Sequence, residues 1–254
     1  QVQQGEVKAP SQSLGTRMSD LATAHDLNDF LPEGYTPDES VLQFLEHFGS
    51  TSVWTGPKME TVLWDAKVFV CECVIKGMPD FPLHVLSLFL YTYESPICYE
   101  PNRAMRLNDR ELLDRWKLVI YYLAEALESR EKYPAQVFRG IPVKFQIELY
   151  MPGNEVVWPS FSSTSKDYKV AESFLKGDKG IIFLIESRSG RLISPFSFYP
   201  TEAEVLLPPN CKFIVRQYCR PLWRTLAMGD RDALTLQEAS RLSCVCIVME
   251  QVDV

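Results

Sequence analysis

The spacing of apolar residues divides the chain into two regimes. Thr36-Pro37-Asp38-Glu39 reads as a helix start, with a Thr cap, Pro in the first turn and Glu at the capping-box position. Val41, Leu42, Leu45 and Phe48 then share a face, and Gly49 stops the helix. Met59, Val62, Leu63, Ala66, Phe69, Val70, Cys73 and Val74 follow the helical period until Gly77 and Pro79. That period places Cys73 in a core and points Cys71 away from it. Residues 83–93 predict another helix. Asn108 with Glu111 repeats the capping logic, and Leu112, Leu113, Trp116, Val119, Ile120, Leu123 and Leu127 draw an amphipathic stripe.

Beyond about residue 132 the pattern becomes that of strands. Segments 136–141, 156–163, 180–186, 203–207, 212–218 and 243–249 are short and rich in β-branched or aromatic residues. Pro, Gly and Ser clusters separate them, and one short helix is expected at 168–175. Helices first and strands later predict an α+β fold, not an alternating parallel sheet. Residues 1–18 read as a flexible arm. Residues 19–254 read as a single domain, helical to about 131 and β-rich from about 132.

Composition narrows the function classes. The 254 residues are 46% hydrophobic and 23% charged, which excludes disordered and low-complexity classes. The net charge of −7 argues against broad binding to phosphate backbones, so no nucleic-acid partner is expected. No apolar run approaches the ~18 residues of a membrane span. Seven cysteines occur without any Cys-x-x-Cys, and the Cys-x-Cys pairs at 71/73 and 244/246 lack zinc spacing, so no metal is expected. Residues 1–18 hold no apolar leader core, and no asparagine starts a glycosylation site. These features give a mild expectation of the cytoplasm over secretion.

The common phosphate-cradling glycine loops, zincin motifs and nucleophile elbows are missing, and only three histidines occur. Catalysis would have to rest on carboxylates, arginine and hydroxyls. Three islands in the β-rich part offer such groups. They are Val137-Phe138-Arg139-Gly140, Phe161-Ser162-Ser163-Thr164-Ser165, and the stretch from Tyr199 to Pro209 containing Glu202-Ala203-Glu204. Each also has a plain structural reading. Arg139 can be a surface arginine beside a turn glycine. The Ser and Thr hydroxyls can cap the helix that follows. The glutamates can line a solvated strand edge.

Taken in order, the islands resemble the Arg–Ser–Glu-x-Glu signature of mono-ADP-ribosyltransferases, in texture nearest the arginine-modifying vertebrate ectoenzymes and related bacterial toxins. Phe161-x-Ser163-Thr164-Ser165 followed by Ala171 and Phe174 is similar to the family's second block. Glu202-Ala203-Glu204-Val205-Leu206-Leu207-Pro208-Pro209, then Phe213 and Val215, is similar to its third. Upstream, Tyr91-Thr92-Tyr93 and Asn102-Arg103-Ala104-Met105-Arg106 resemble the helical segment that precedes the core.

The resemblance implies a split β-sandwich with NAD, the cosubstrate, in the cleft between two sheets. It implies that Arg139, Ser163, Glu202 and Glu204 are catalytic, with Glu204 stabilising charge on the nicotinamide ribose. Arg139 would bind an NAD phosphate or ribose oxygen, and Gly140 the nicotinamide amide. Ser163, Thr164 and Ser165 would hold that strand end, and Phe174 would pack either on the nicotinamide or in a helix core. Glu202, if the stretch is extended, would point to the same side as Glu204 and take an incoming guanidinium. Tyr199, with Phe198 as competitor, would stack on it. Glu at position 202 implies arginine as acceptor, hence a protein partner with an accessible arginine. A monomer is expected. Transfer to water, as in an NAD glycohydrolase, and a non-catalytic NAD-binding module are the alternatives.

Overall fold

The computed structural model describes residues 57–76, 82–93, 96–142, 147–177, 179–221 and 233–252. The expected arm at 1–18 and the helix expected from Thr36 to Gly49 lie outside the described residues. Among the described residues four helices come first: α1 (Pro57–Ile75), α2 (Pro82–Thr92), α3 (Pro96–Leu107) and α4 (Arg110–Glu128). On α1 the helical period buries Val62, Ala66, Val70 and Cys73 and leaves Cys71 exposed. On α4 the predicted stripe is buried at Leu113, Trp116, Val119, Ile120, Leu123 and Leu127. Its cap lies one residue later than the sequence pattern suggested. Asp109, not Asn108, accepts from the amides of Glu111 and Leu112. Asn108 instead adopts a left-handed φ of 49° and ends α3.

The strands are β1 (Gln136–Ile141), β2 (Glu155–Trp158), β3 (Ser162–Ser165), β4 (Gly180–Glu186), β5 (Arg191–Leu192), β6 (Glu204–Leu207), β7 (Cys211–Cys219) and β8 (Cys244–Val252). Among the described residues two short α-helices, α5 (Tyr168–Ser173) and α6 (Leu236–Arg241), interrupt them. The single strand expected at 156–163 is two strands, β2 and β3. Pro159 between them lacks the amide that a continuous ladder would need.

The strands form one eight-stranded mixed sheet in the order β2-β7-β8-β4-β1-β3-β6-β5. β1 and β3 are joined through a single pair, Phe138 with Ser165, whereas β1 pairs with β4 along its length. At this pinch the sheet divides into a larger and a smaller half, the split expected of the sandwich. Val205 and Leu207 of β6 pack with Ile181, Phe183 and Phe213 of the larger half. Leu206, Phe161, Ile193 and Phe196 pack instead with the helices. The small half is therefore covered on both faces, which is why every residue of β6 is buried. Among the described residues no helix is long and apolar enough to cross a membrane. No disulfide joins any of the seven cysteines.

Candidate active site

The site forms where the sheet is pinched. β3 and β6 pair antiparallel, with Ser163 opposite Leu206 and Ser165 opposite Glu204. Side chains two apart on a strand share a face, so Ser163, Ser165 and Glu204 line the face turned to the helices. Arg139 reaches across the pinch, and its Nη1 donates to the Ser163 carbonyl at 2.6 Å. Its guanidinium lies 5.9 Å from the Trp158 ring, within cation–π range. Ser163 also hydrogen-bonds Glu204. Three of the four predicted catalytic residues thus converge, and Glu202 is close enough to feel the charge of Glu204.

Glu204 is only 6% exposed. Burial pushes its carboxyl up from 4.5 to about 7, and the Glu202 charge adds to this; the Ser163 hydrogen bond and Arg139 oppose it. Folding therefore favours the protonated carboxyl. The stability this contributes is complete below about pH 4.5, where the unfolded chain is protonated too. It is lost as pH rises through about 7. The expected loss is about 3 kcal/mol across that window. Urea denaturation between pH 4.5 and 8 checks this: the decline seen in the parent protein should be largely missing in Glu204→Gln. Parallel declines in both would contradict it.

Gly140 has a packing requirement. A Cβ there would sit 1.9 Å from the Ala171 carbonyl oxygen of α5 and 3.4 Å from Phe174 Cβ. The missing side chain lets α5 lie against β1, whether or not it also admits a ligand. Gly140→Ala is expected to destabilise the fold by about 2–3 kcal/mol through overpacking, read as a lower urea midpoint. Phe174, at the end of α5, is 51% exposed, so the helix-core alternative is wrong for this residue. Its ring is available beside Gly140 at the cleft.

The turn before β6 departs from the extended path. Pro200–Glu202 form one turn of 3-10 helix, and Ala203 takes a left-handed conformation with φ 50° and ψ 43°. Glu202 and Glu204 are therefore not neighbours on one face of a strand, and the strand starts at Glu204 rather than at residue 203. The chain turns here because its ends are tied. Ser165 Oγ donates to the Glu202 carbonyl at 2.7 Å, and the Lys166 amide to the Ala203 carbonyl at 3.2 Å. Thr164 Oγ1 donates to the Val205 carbonyl. Thr164 and Ser165 are both buried, and these bonds direct their hydroxyls to the backbone of β6 and its turn. Tyr199 is 37% exposed and meets Phe198 edge-on at 4.8 Å. Phe198 packs on Tyr93 at 4.5 Å, and its amide donates to Thr92 Oγ1. The aromatic tip of the loop is thus anchored on the end of α2.

Four groups around the site were absent from the sequence-derived set. Tyr91 and Asn102 are buried and joined at 3.0 Å, with the Tyr91 hydroxyl 3.5 Å from Ser163 Oγ. Arg106 donates to Ser160 Oγ at 3.4 Å, and desolvation with the nearby charge of Arg139 lowers its pKa. Two guanidiniums thus share one wall, an arrangement suited to a diphosphate. Trp158 lies beneath Arg139. The first three stand in the upstream blocks that resemble the family's helical segment, a resemblance that assigns them no role in the site. Trp158 reads as an ordinary core residue, and no sequence signal marks it.

Comparison with known proteins adds to this geometry. The family model for NAD:arginine ADP-ribosyltransferases matches residues 74–223. A putative NAD(+)–arginine ADP-ribosyltransferase of Mycobacterium avium is 34% identical over 139 residues, 53% of this chain and 16% of that protein. Human ecto-ADP-ribosyltransferase 5 is 32% identical over 202 residues, 71% of this chain and 66% of that protein. The chain thus spans less than two thirds of the length of these curated relatives. In structure it resembles the eucaryotic mono-ADP-ribosyltransferase ART2.2, with a TM-score of 0.59 at 22% identity, over 84% of this chain and 85% of that one. A variant of ART2.2 has been solved in complex with NAD.

Proposed function

The chain belongs to the NAD:arginine ADP-ribosyltransferase family, and on that premise we propose that it cleaves NAD and transfers ADP-ribose to arginine side chains of proteins, releasing nicotinamide. The carrying observation is the buried Glu204 carboxyl at the pinch of the sheet, beside the β3 end where Arg139 reaches across to the Ser163 carbonyl. As the bond between ribose C1′ and nicotinamide breaks, its electron pair neutralises the pyridinium and positive charge develops on the ribose. A fixed carboxylate in a dry site stabilises that charge strongly. Arg139 and Arg106 hold the diphosphate, and Ser163 keeps Glu204 in register. A guanidinium nitrogen then attacks C1′, and Glu202 takes the proton it loses. Phe174 packs on the nicotinamide beside Gly140, and Tyr199 stacks on the acceptor.

The reading of residues 19–254 as one catalytic unit is supported by the shared core: Phe161, Ile193, Phe196 and Leu206 pack with the four helices. The test is nicotinamide release from NAD with and without agmatine, an arginine analogue, followed by mass spectrometry of the products. An ADP-ribosyl-agmatine adduct is expected. Release of nicotinamide with free ADP-ribose as sole product would assign a glycohydrolase. No release at all would overturn the enzymatic reading.

A further inference from the structure

The last residue of α2 is Thr92, and its hydroxyl joins the helical layer to the loop that carries Tyr199 and Glu202. Thr92 Oγ1 donates to the Phe89 carbonyl one turn back, at 2.9 Å. A hydroxyl has one proton and two lone pairs, so this bond commits the oxygen as an acceptor towards the loop. The Phe198 amide fills that place at 2.8 Å, across 106 residues of chain. Branching at Cβ restricts the Thr92 rotamer, which fixes the direction in which the oxygen faces.

The Phe198 ring is held at the same point. It packs on Tyr93 at 4.5 Å and meets Phe89 edge-on at 5.7 Å. Phe89 is 4% exposed and stacks on Phe69 of α1 at 4.7 Å. The platform under Phe198 is therefore part of the helical core, and a close-packed core does not yield to a surface loop.

Beyond Phe198 the chain closes on itself. The Glu202 amide donates to the Tyr199 carbonyl at 3.0 Å, and the Ala203 amide to the Pro200 carbonyl at 3.3 Å. Residues 199–202 thus form one stiff turn with a tie at each end. Ser165 holds the Glu202 end through its carbonyl, and Thr92 holds the Tyr199 end through the adjoining Phe198 amide. With only the Ser165 tie, the turn could swing about Ala203.

We propose that Thr92 is a positioning residue for the acceptor: with Phe89 and Tyr93 it clamps Phe198, and so fixes the turn that presents Tyr199 and Glu202 to an incoming guanidinium. This deepens the proposed function and rests on it for the role of the turn, though not for the clamp itself. Arg139, Ser163 and Glu204 are carried by β1, β3 and β6, whose pairing does not run through Thr92. The clamp therefore acts on transfer and not on cleavage of NAD.

The test compares the parent protein with Thr92→Val, which keeps the branched shape and removes the hydroxyl, and with Thr92→Ser, which restores it. Thr92→Val is expected to raise the KM for agmatine about three- to tenfold, the worth of one hydrogen bond. Nicotinamide release without an acceptor should stay within about twofold of the parent. Exchange of the Phe198 amide, followed by NMR in NAD-free protein, should speed up by about the same three- to tenfold. Thr92→Ser should bring both values back towards the parent. Tyr93→Leu should raise the KM for agmatine in the same direction by less, and it carries the test if Thr92→Val does not fold. An unchanged KM for agmatine, an unchanged Phe198 exchange rate, or an equal loss of release without acceptor in the folded variants overturns the proposal. If the parent protein forms no agmatine adduct, the transferase reading fails and the role in transfer falls with it, while Phe198 exchange still decides whether Thr92 holds the loop.

Discussion

Glu204→Gln is expected to lower kcat/KM for nicotinamide release by at least ~100-fold, the scale seen when one preorganised electrostatic stabiliser is removed from a transition state. Gln keeps the size of Glu and one acceptor oxygen, so the pairing of β3 with β6 should survive. What is lost is the negative charge opposite the developing oxocarbenium. Because Glu204 is buried, bulk solvent screens that charge weakly, and its removal is felt strongly. The same burial separates this loss from misfolding. Above pH 7 the variant should resist urea better than the parent, since it no longer buries a carboxylate with a pKa of about 7. Nicotinamide release measured by chromatography, beside urea denaturation at pH 8, gives both numbers. An active variant, or an inactive one that is also less stable, would remove Glu204 from the role assigned to it.

The helices and strands were legible wherever the pattern was local. The stripe on α4, the split burial of Cys71 and Cys73, and the boundaries of β1 and β4 follow from periodicity alone. The failures occur where distant contacts override that pattern. The tie from Ser165 to the Glu202 carbonyl bends the chain at Ala203, a residue with no intrinsic bias to φ above zero. The residues of β6 are all buried because helices cover one face and the larger half-sheet the other, which no strand reveals by itself. The Arg139, Ser163 and Glu204 constellation was found from ordered blocks, whereas Tyr91 and Asn102 were not. Tyr91 meets Ser163 across 72 residues of chain, Asn102 is tied to Tyr91, and only the fold brings α2 against β3.

Glu202→Gln is expected to cut transfer to agmatine by about 100-fold while leaving nicotinamide release to water within about threefold, the scale of removing a general base from one step only. The geometry of the turn explains the separation. Glu202 lies on a 3-10 turn, outside the strand that carries Glu204, and Ala203 reverses the backbone between them. It is half-buried, whereas Glu204 is buried. A carboxylate so placed can meet an incoming guanidinium, whose high pKa makes loss of a proton necessary before nitrogen can attack. Water attacking C1′ loses its proton more readily once the bond to carbon forms, so it depends less on this base. Glu202 also raises the pKa of Glu204 by its charge. Its neutralisation should therefore lower the apparent pKa of NAD cleavage, an acid shift of the pH profile. Equal loss of transfer and hydrolysis would place both glutamates on the same step. Transfer that survives the substitution would assign the guanidinium proton to another base.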